Sequence, residues 1–293
     1  MNSSPLKSRL DSPLRSEASS AALKTTISAD QFSKIYRESV NEVIARLPSD
    51  WSAIAKHNVG WRKGRFDASQ YLRDSERRYA KVLKLLPQTR GARILDVGGF
   101  LSAFPLTLRK LEYEVTIAEK FDYYGNALDG IAQLLADSDV TVIDKDFTEP
   151  SDMCSLRATF DAVTCMAVAE HLAHSPRELI ENIHSVLRPG GDFAFEVPNL
   201  AFWPRRYSFF FKGNTVLAPI EDVYHSAIPF TGHHREYTIE DALYIIKQGD
   251  FKIMNEYFYN YGINTHNIWQ LIKYAPAFLF RECAGVILIH ARK

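Results

Sequence analysis

The chain has 293 residues, 46% of them hydrophobic and 24% charged, the balance of a soluble globular protein with one large domain or two small ones. Its 35 Lys and Arg match 35 Asp and Glu, so it lacks the basic excess that drives association with duplex nucleic acid, and no nucleic-acid partner is expected. The three cysteines, Cys154, Cys165 and Cys283, are odd in number and far apart; they speak against a disulfide framework or a CxxC zinc site and read as free thiols in a reducing compartment.

The first residues, MNSSPLKSRLDSPLRSEASS, lack the apolar core of a secretory signal, and no apolar run is long enough to span a bilayer. A cytoplasmic protein is expected. Residues 1–28 are Ser-rich with Pro, Lys and Arg, and read as a disordered tail. Residues 29–90 read as an N-terminal helical cap. Ser28-Ala-Asp30 can start its first helix, with Phe32, Ile35, Tyr36, Val40, Val43 and Ile44 at helical spacing. A second helix is predicted over Ser69–Leu86, ended by Pro87, after an aromatic and basic loop at Trp61–Asp67.

Beyond Gly91 short β-branched runs alternate with helical stretches. Strands are predicted at Arg93–Val97, Glu114–Ala118, Val140–Ile143, Phe160–Met166 and Asp192–Val197. Helices are predicted at Ala103–Leu111, Tyr124–Ala136 and Pro176–Leu187. This alternation is an α/β pattern, a parallel Rossmann-like sheet with helices on both faces. Its ligand sites lie at the C-terminal ends of the strands.

The run ILDVGGFLSAFPLTL, from Ile94, takes a strand through an acidic residue and a glycine turn into a helix. Glycines let the backbone turn sharply, and the helix N-terminus offers free N–H groups. It resembles motif I of class I S-adenosylmethionine-dependent methyltransferases, D-x-G-x-G-x-G. Asp96 and Gly98 match its first two marks, while Phe100 and Ser102 stand where the family has its second and third glycine. The resemblance implies that Asp96, Gly98 and Gly99 hold S-adenosylmethionine. It implies that Glu119, ending the next strand about 20 residues after the turn, binds the ribose hydroxyls. Asp146, with Asp144 as a competitor, takes the place of the adenine contact, and Phe147 that of its apolar neighbour. Met166, at the end of the fourth strand, completes the cofactor set.

The stretch FDAVTCMAVAEHLAHSPRELIENIHSVLRPGGDFAFEVPN, Phe160–Asn199, looks like the family's fourth strand, helix and fifth strand. Pro189 stops the helix and two glycines permit the reversal. The resemblance runs from about Gly91 to Phe251 and recurs at Val286–Ile289. It places the methyltransferase domain at 91–293, as a seven-stranded sheet. Its last two strands would be antiparallel neighbours at Phe251–Phe258 and Gly285–Ala291. An NAD-dependent oxidoreductase would want G-x-G-x-x-G and a Tyr-x-x-x-Lys or His dyad, which the sequence does not show at matching places.

AFWPRRYSFFF, Ala201–Phe211, is aromatic and basic, and residues of about 200–235 are expected to form a lid or substrate wall. Trp203, Arg206, Arg235 and Tyr237 are its candidate substrate contacts. GHHREYT is similar to the pre-helix segment of methyltransferases acting on small hydroxylated metabolites and glycans. Thr238 with Asp241 resembles a capping box. His233, His171 and His234 are the candidate bases, since imidazole can remove a hydroxyl proton near neutral pH. Some related O-methyltransferases carry Glu-x-x-Glu-His and a later His for a divalent metal. Here Glu170-His171 is present but Ala167 replaces the first Glu, so no required metal is expected. An insertion at about 261–282, with a helix around Trp269, would extend the substrate wall or make a homodimer contact.

The expected activity is direct displacement at the methyl carbon by an oxygen of a small metabolite or glycan, with N-methylation left open. The alternative is a non-catalytic binding module or partner subunit of the same fold, motivated by Phe100 and Ser102.

Overall fold

The β-branched runs form the strands of a single sheet: β1 (Arg93–Val97), β2 (Glu114–Ala118), β3 (Thr141–Ile143), β4 (Phe160–Met166), β5 (Leu187–Pro198), β6 (Lys252–Tyr259) and β7 (Val286–Arg292). Their order is β3-β2-β1-β4-β5-β7-β6. Strands β1 to β5 pair in parallel, and β7 inserts antiparallel between β5 and β6. The computed structural model describes residues 27–49, 67–143, 146–149, 153–226, 230, 232–260 and 268–293. Most of the expected tail, Trp61–Phe66, Asp144, and parts of the lid (227–229 and 231) and insertion (261–267) lie outside these residues.

The described helices are α1 (Ala29–Ile44), α2 (Ala68–Asp74), α3 (Glu76–Leu83), α4 (Ala103–Lys110), α5 (Asp129–Asp137), α6 (Arg177–Val186), α7 (Trp203–Lys212), α8 (Ile220–Tyr224), α9 (Ile239–Gln248) and α10 (Ile268–Leu279). Apolar stripes cover both faces of the sheet. Phe32, Tyr36 and Phe104 pack with Ile94 on one face; Leu179, Ile183 and Ile246 pack with Leu95 and Phe193 on the other. The N-terminal helices therefore share the sheet's core. Tyr36 donates its hydroxyl to the Leu72 carbonyl at 2.7 Å, and the Tyr79 ring stacks on Phe104 at 4.4 Å.

Local chemistry moves several boundaries. The single helix predicted over Ser69–Leu86 breaks at Ser75, whose Oγ donates back to the Tyr71 carbonyl at 2.8 Å, a bond that competes with the helix ladder. Leu85 and Leu86 then close with tighter bonds to Val82 and Leu83. The helix expected from Tyr124 begins at Asp129, after a 3₁₀ turn at Phe121–Tyr124. Strand β5 starts at Leu187, earlier than the predicted Asp192, because Leu187 already pairs with Phe160 ahead of an irregularity in the ladder. Thr238 and Asp241 do form a reciprocal capping box on α9.

The loop after β1 keeps left-handed backbone at Gly98 (φ 76°) and at both non-glycine positions, Phe100 (φ 40°) and Ser102 (φ 60°). Such a conformation costs an L-residue about 1–2 kcal/mol, so the surroundings must hold it. They do: Phe100 N–H donates to the Glu119 carboxylate at 2.8 Å, and Ser102 Oγ to the Phe100 carbonyl at 3.1 Å. Among the described residues no helix is long and apolar enough to cross a membrane.

Candidate active site

The ends of β1, β2, β4 and β5 open into a cleft of about 910 Å³. Gly98 and Gly99 form its floor at the turn after β1. A Cβ on Gly98 would lie 2.4 Å from Val168 Cγ2, and one on Gly99 would lie 3.0 Å from Ile117 Cγ2. The turn therefore packs this closely against Val168 and Ile117 only while both positions lack a side chain. Asp96 stands behind this turn and does not line the cleft. It accepts the Thr164 hydroxyl, and burial pushes its carboxyl up to about 7.

Glu119 borders the cleft from the end of β2. Its oxygens accept one backbone N–H each, from Phe100 (2.8 Å) and Lys120 (3.1 Å), fewer bonds than a carboxylate can take. Burial raises its pKa. Asp146 is more fully engaged. One oxygen accepts the N–H and O–H of Thr148, at 2.8 and 2.6 Å, and the other pairs with Lys120 at 2.7 Å. Although burial opposes it, these partners hold the Asp146 carboxyl below its ordinary value. Phe147 and Met166 are buried at the cleft wall.

The three expected histidines all reach the cleft. His171 and His233 meet edge to face, with ring centroids 4.8 Å apart. His233 Nδ1 lies 2.7 Å from Glu236 Oε1, and Arg205 pairs with the other oxygen of Glu236. Burial, then the neighbouring His171 and Arg205, push the His233 imidazole down to about 3, so it is neutral at physiological pH. When Nδ1 donates to Glu236, Nε2 keeps its lone pair. His234 is tied differently, its Nε2 lying 2.7 Å from the Phe230 carbonyl.

Glu170 is fully buried, and neither oxygen has a partner in another residue. Burial pushes its carboxyl up to about 8, from an ordinary 4.5. Between those pH values the folded state binds a proton that the unfolded state has released. Stability should therefore fall as pH rises through that window, by at most about 1.4 kcal/mol per pH unit. Glu170→Gln carries a neutral side chain of the same shape. We expect it to melt at a higher temperature than wild type near pH 8 and to differ little near pH 5. Equal differences at both pH values would contradict a protonated Glu170. Glu170, His171 and His233 also bring one potential ligand atom each within 4.8 Å of one another. Ala167 adds no fourth donor.

The model of the methyltransferase-domain family matches residues 71–251, more than half of the chain. The chain belongs to this methyltransferase family. Comparison with curated protein sequences gave no match. Among solved structures the methyltransferase is similar to an S-adenosylmethionine-dependent methyltransferase from Mesorhizobium loti, at 15% identity and a TM-score of 0.50, over 75% of this chain and 98% of that one. It is also similar to a chain from the complex of the Haloferax volcanii Trm112 methyltransferase activator with a methyltransferase, at 16% identity and a TM-score of 0.51, over 75% and 93% of the two chains. At these identities the likeness shows the fold alone.

Four expected substrate contacts of the methyltransferase fall outside the cleft lining. Trp203 donates Nε1–H to the Lys273 carbonyl at 2.8 Å. Arg206 is exposed. Arg235 pairs with Asp241 at 3.4 Å, and the buried Tyr237 donates its hydroxyl to the Ala169 carbonyl at 3.2 Å. Phe202, Arg205 and Phe230 line the cleft instead. One residue along a helix turns the side chain by about 100°, so the inward set of α7 is shifted from the expected one. A further wall escaped the sequence reading. Arg78 of α3 pairs with the buried Glu196 of β5 at 2.6 Å, and Tyr259 donates to the same carboxylate. All three line the cleft.

Proposed function

We propose that this methyltransferase moves a methyl group from S-adenosylmethionine to a hydroxyl of a small metabolite or sugar-containing substrate. The observation that carries the reading is His233, its ring oriented by Glu236, at the same cleft as the glycine turn. Gly98 and Gly99 leave the backbone bare where the cofactor would rest. Glu119 has acceptor capacity for ribose hydroxyls. Glu119, Asp146, Glu149 and Glu196 line the cleft against Arg78, Lys120 and Arg205, a balance that suits a cationic ligand. The left-handed backbone kept at Phe100 and Ser102 supports cofactor binding over an emptied partner module.

S-adenosylmethionine, when bound, supplies a methyl group activated by its sulfonium. The chain aligns the acceptor and removes its proton. His233 Nε2 accepts the hydroxyl proton, and Glu236 at Nδ1 stabilises the resulting imidazolium. Phe202 and Phe230 exclude water from the acceptor side. Glu119→Gln is expected to weaken S-adenosylhomocysteine binding by about 1–3 kcal/mol, the scale of hydrogen bonds to a charged group. Calorimetric titration of wild type and mutant measures this, and identical affinities would remove Glu119 from the ribose site.

The unpartnered Glu170 oxygens beside His171 and His233 favour a second reading, in which these three residues hold a divalent cation that lowers the acceptor's pKa. Chelation separates the two. Retained turnover supports His233 as the base; turnover lost and restored by added cation supports the second reading.

A further inference from the structure

Of the fifteen exposed large apolar side chains among the described residues, three lie on α7, six on α10 and one, Phe280, just beyond α10. Phe209, Phe210 and Phe211 are 58%, 80% and 62% exposed, and Trp269 is 73% exposed. A water-soluble surface seldom gathers so much apolar area, so the face points to a partner. The two helices form one unit. Trp203 of α7 is bonded to the Lys273 carbonyl of α10, and Lys273 Nζ sits 4.8 Å over the Tyr207 ring.

Charge selects the occupant. The two helices carry Arg205, Arg206, Lys212 and Lys273 and no Asp or Glu. Arg205 turns inward to Glu236, which leaves three cations among the aromatics. Glu282, beyond α10, is paired with Arg281 at 2.8 Å and also feels Arg206. The acids Glu221 and Asp222 sit on the separate helix α8. An isologous contact with a second copy would set like cations against each other. Aromatic and aliphatic side chains interspersed with Lys and Arg are the composition of helices that lie in the plane of an anionic lipid surface. We propose that α7 and α10 form a platform that docks the protein on an anionic phospholipid bilayer. Phe202 and Arg205 at the start of α7, and Gly285 beyond α10, line the cleft, so the docked face borders its mouth.

Co-sedimentation of the full chain with phosphatidylcholine vesicles, with and without phosphatidylserine, tests this. The protein should sediment with phosphatidylserine vesicles at low salt and be released as salt rises. Arg206→Gln with Lys212→Gln should lower partitioning roughly 30-fold. Phe209→Ser with Phe210→Ser should abolish it. None of these four residues lines the cleft, so unchanged circular dichroism melting and unchanged S-adenosylhomocysteine binding confirm that the variants fold. Failure to sediment with either vesicle overturns the proposal. So does binding that ignores the cations. Self-association in the ultracentrifuge that Phe209→Ser with Phe210→Ser disrupts, without vesicle binding, would assign the face to a second copy.

Discussion

Replacing His233 by alanine is expected to slow turnover about 10²–10⁴-fold, the usual contribution of a general base, while S-adenosylhomocysteine affinity stays unchanged. The expectation rests on geometry. Glu236 fixes the ring through Nδ1 at 2.7 Å, which leaves Nε2 to meet the acceptor hydroxyl. Because burial, then His171 and Arg205, push the imidazole down to about 3, its own protonation should not limit the wild-type rate between neutrality and mild acid. The mutant rate should instead climb with pH, as hydroxide takes over the proton. Methyl transfer from labelled S-adenosylmethionine, followed across pH for both proteins, reads all of this. A mutant that turns over at the wild-type rate would dismiss His233 as base and favour the cation reading or an amine acceptor.

Gly98→Val is expected to be the most damaging change to cofactor binding. Its backbone φ is 76°, which costs a side chain-bearing residue about 1–2 kcal/mol. A Cβ there would also meet Val168 Cγ2 at 2.4 Å, so Val168 or the turn after β1 must shift. Overpacking of this kind adds about 1–3 kcal/mol, and S-adenosylhomocysteine affinity should fall on the order of 10- to 100-fold. Gly91→Ala is the control. Gly91 has φ 72° but open space around it, and it lies away from the cleft. That variant should lose stability and keep its affinity. If Gly98→Val stays folded and binds as tightly as wild type, the cofactor does not rest on this turn.

Much of the architecture was legible because the strands are short β-branched runs bounded by turn residues. The bounds of β1, β2 and β4 coincide with the predicted ones. Gly98, Gly99, Glu119, Asp146, Phe147, Met166 and the three histidines, named from motif position, do meet at one cleft. The reading failed where the deciding term is tertiary. The unusual state of Glu170 comes from burial, which a local Glu-His pattern does not express. The Arg78–Glu196 pair joins α3 to β5 across more than a hundred residues. Asp96 faces Thr164 because a neighbouring strand is there to receive it. On α7, composition marked the segment but not its rotational phase, which exchanged Arg206 for Arg205 and Trp203 for Phe202.

We place S-adenosylmethionine in the cleft above Gly98 and beside Glu119. Isothermal titration of the wild-type chain with S-adenosylhomocysteine tests this placement without knowledge of the acceptor. Saturable binding at one site per chain is expected, weakened by Glu119→Gln and by Gly98→Val. Absence of binding to the folded wild-type protein, with either S-adenosylhomocysteine or S-adenosylmethionine, would contradict it.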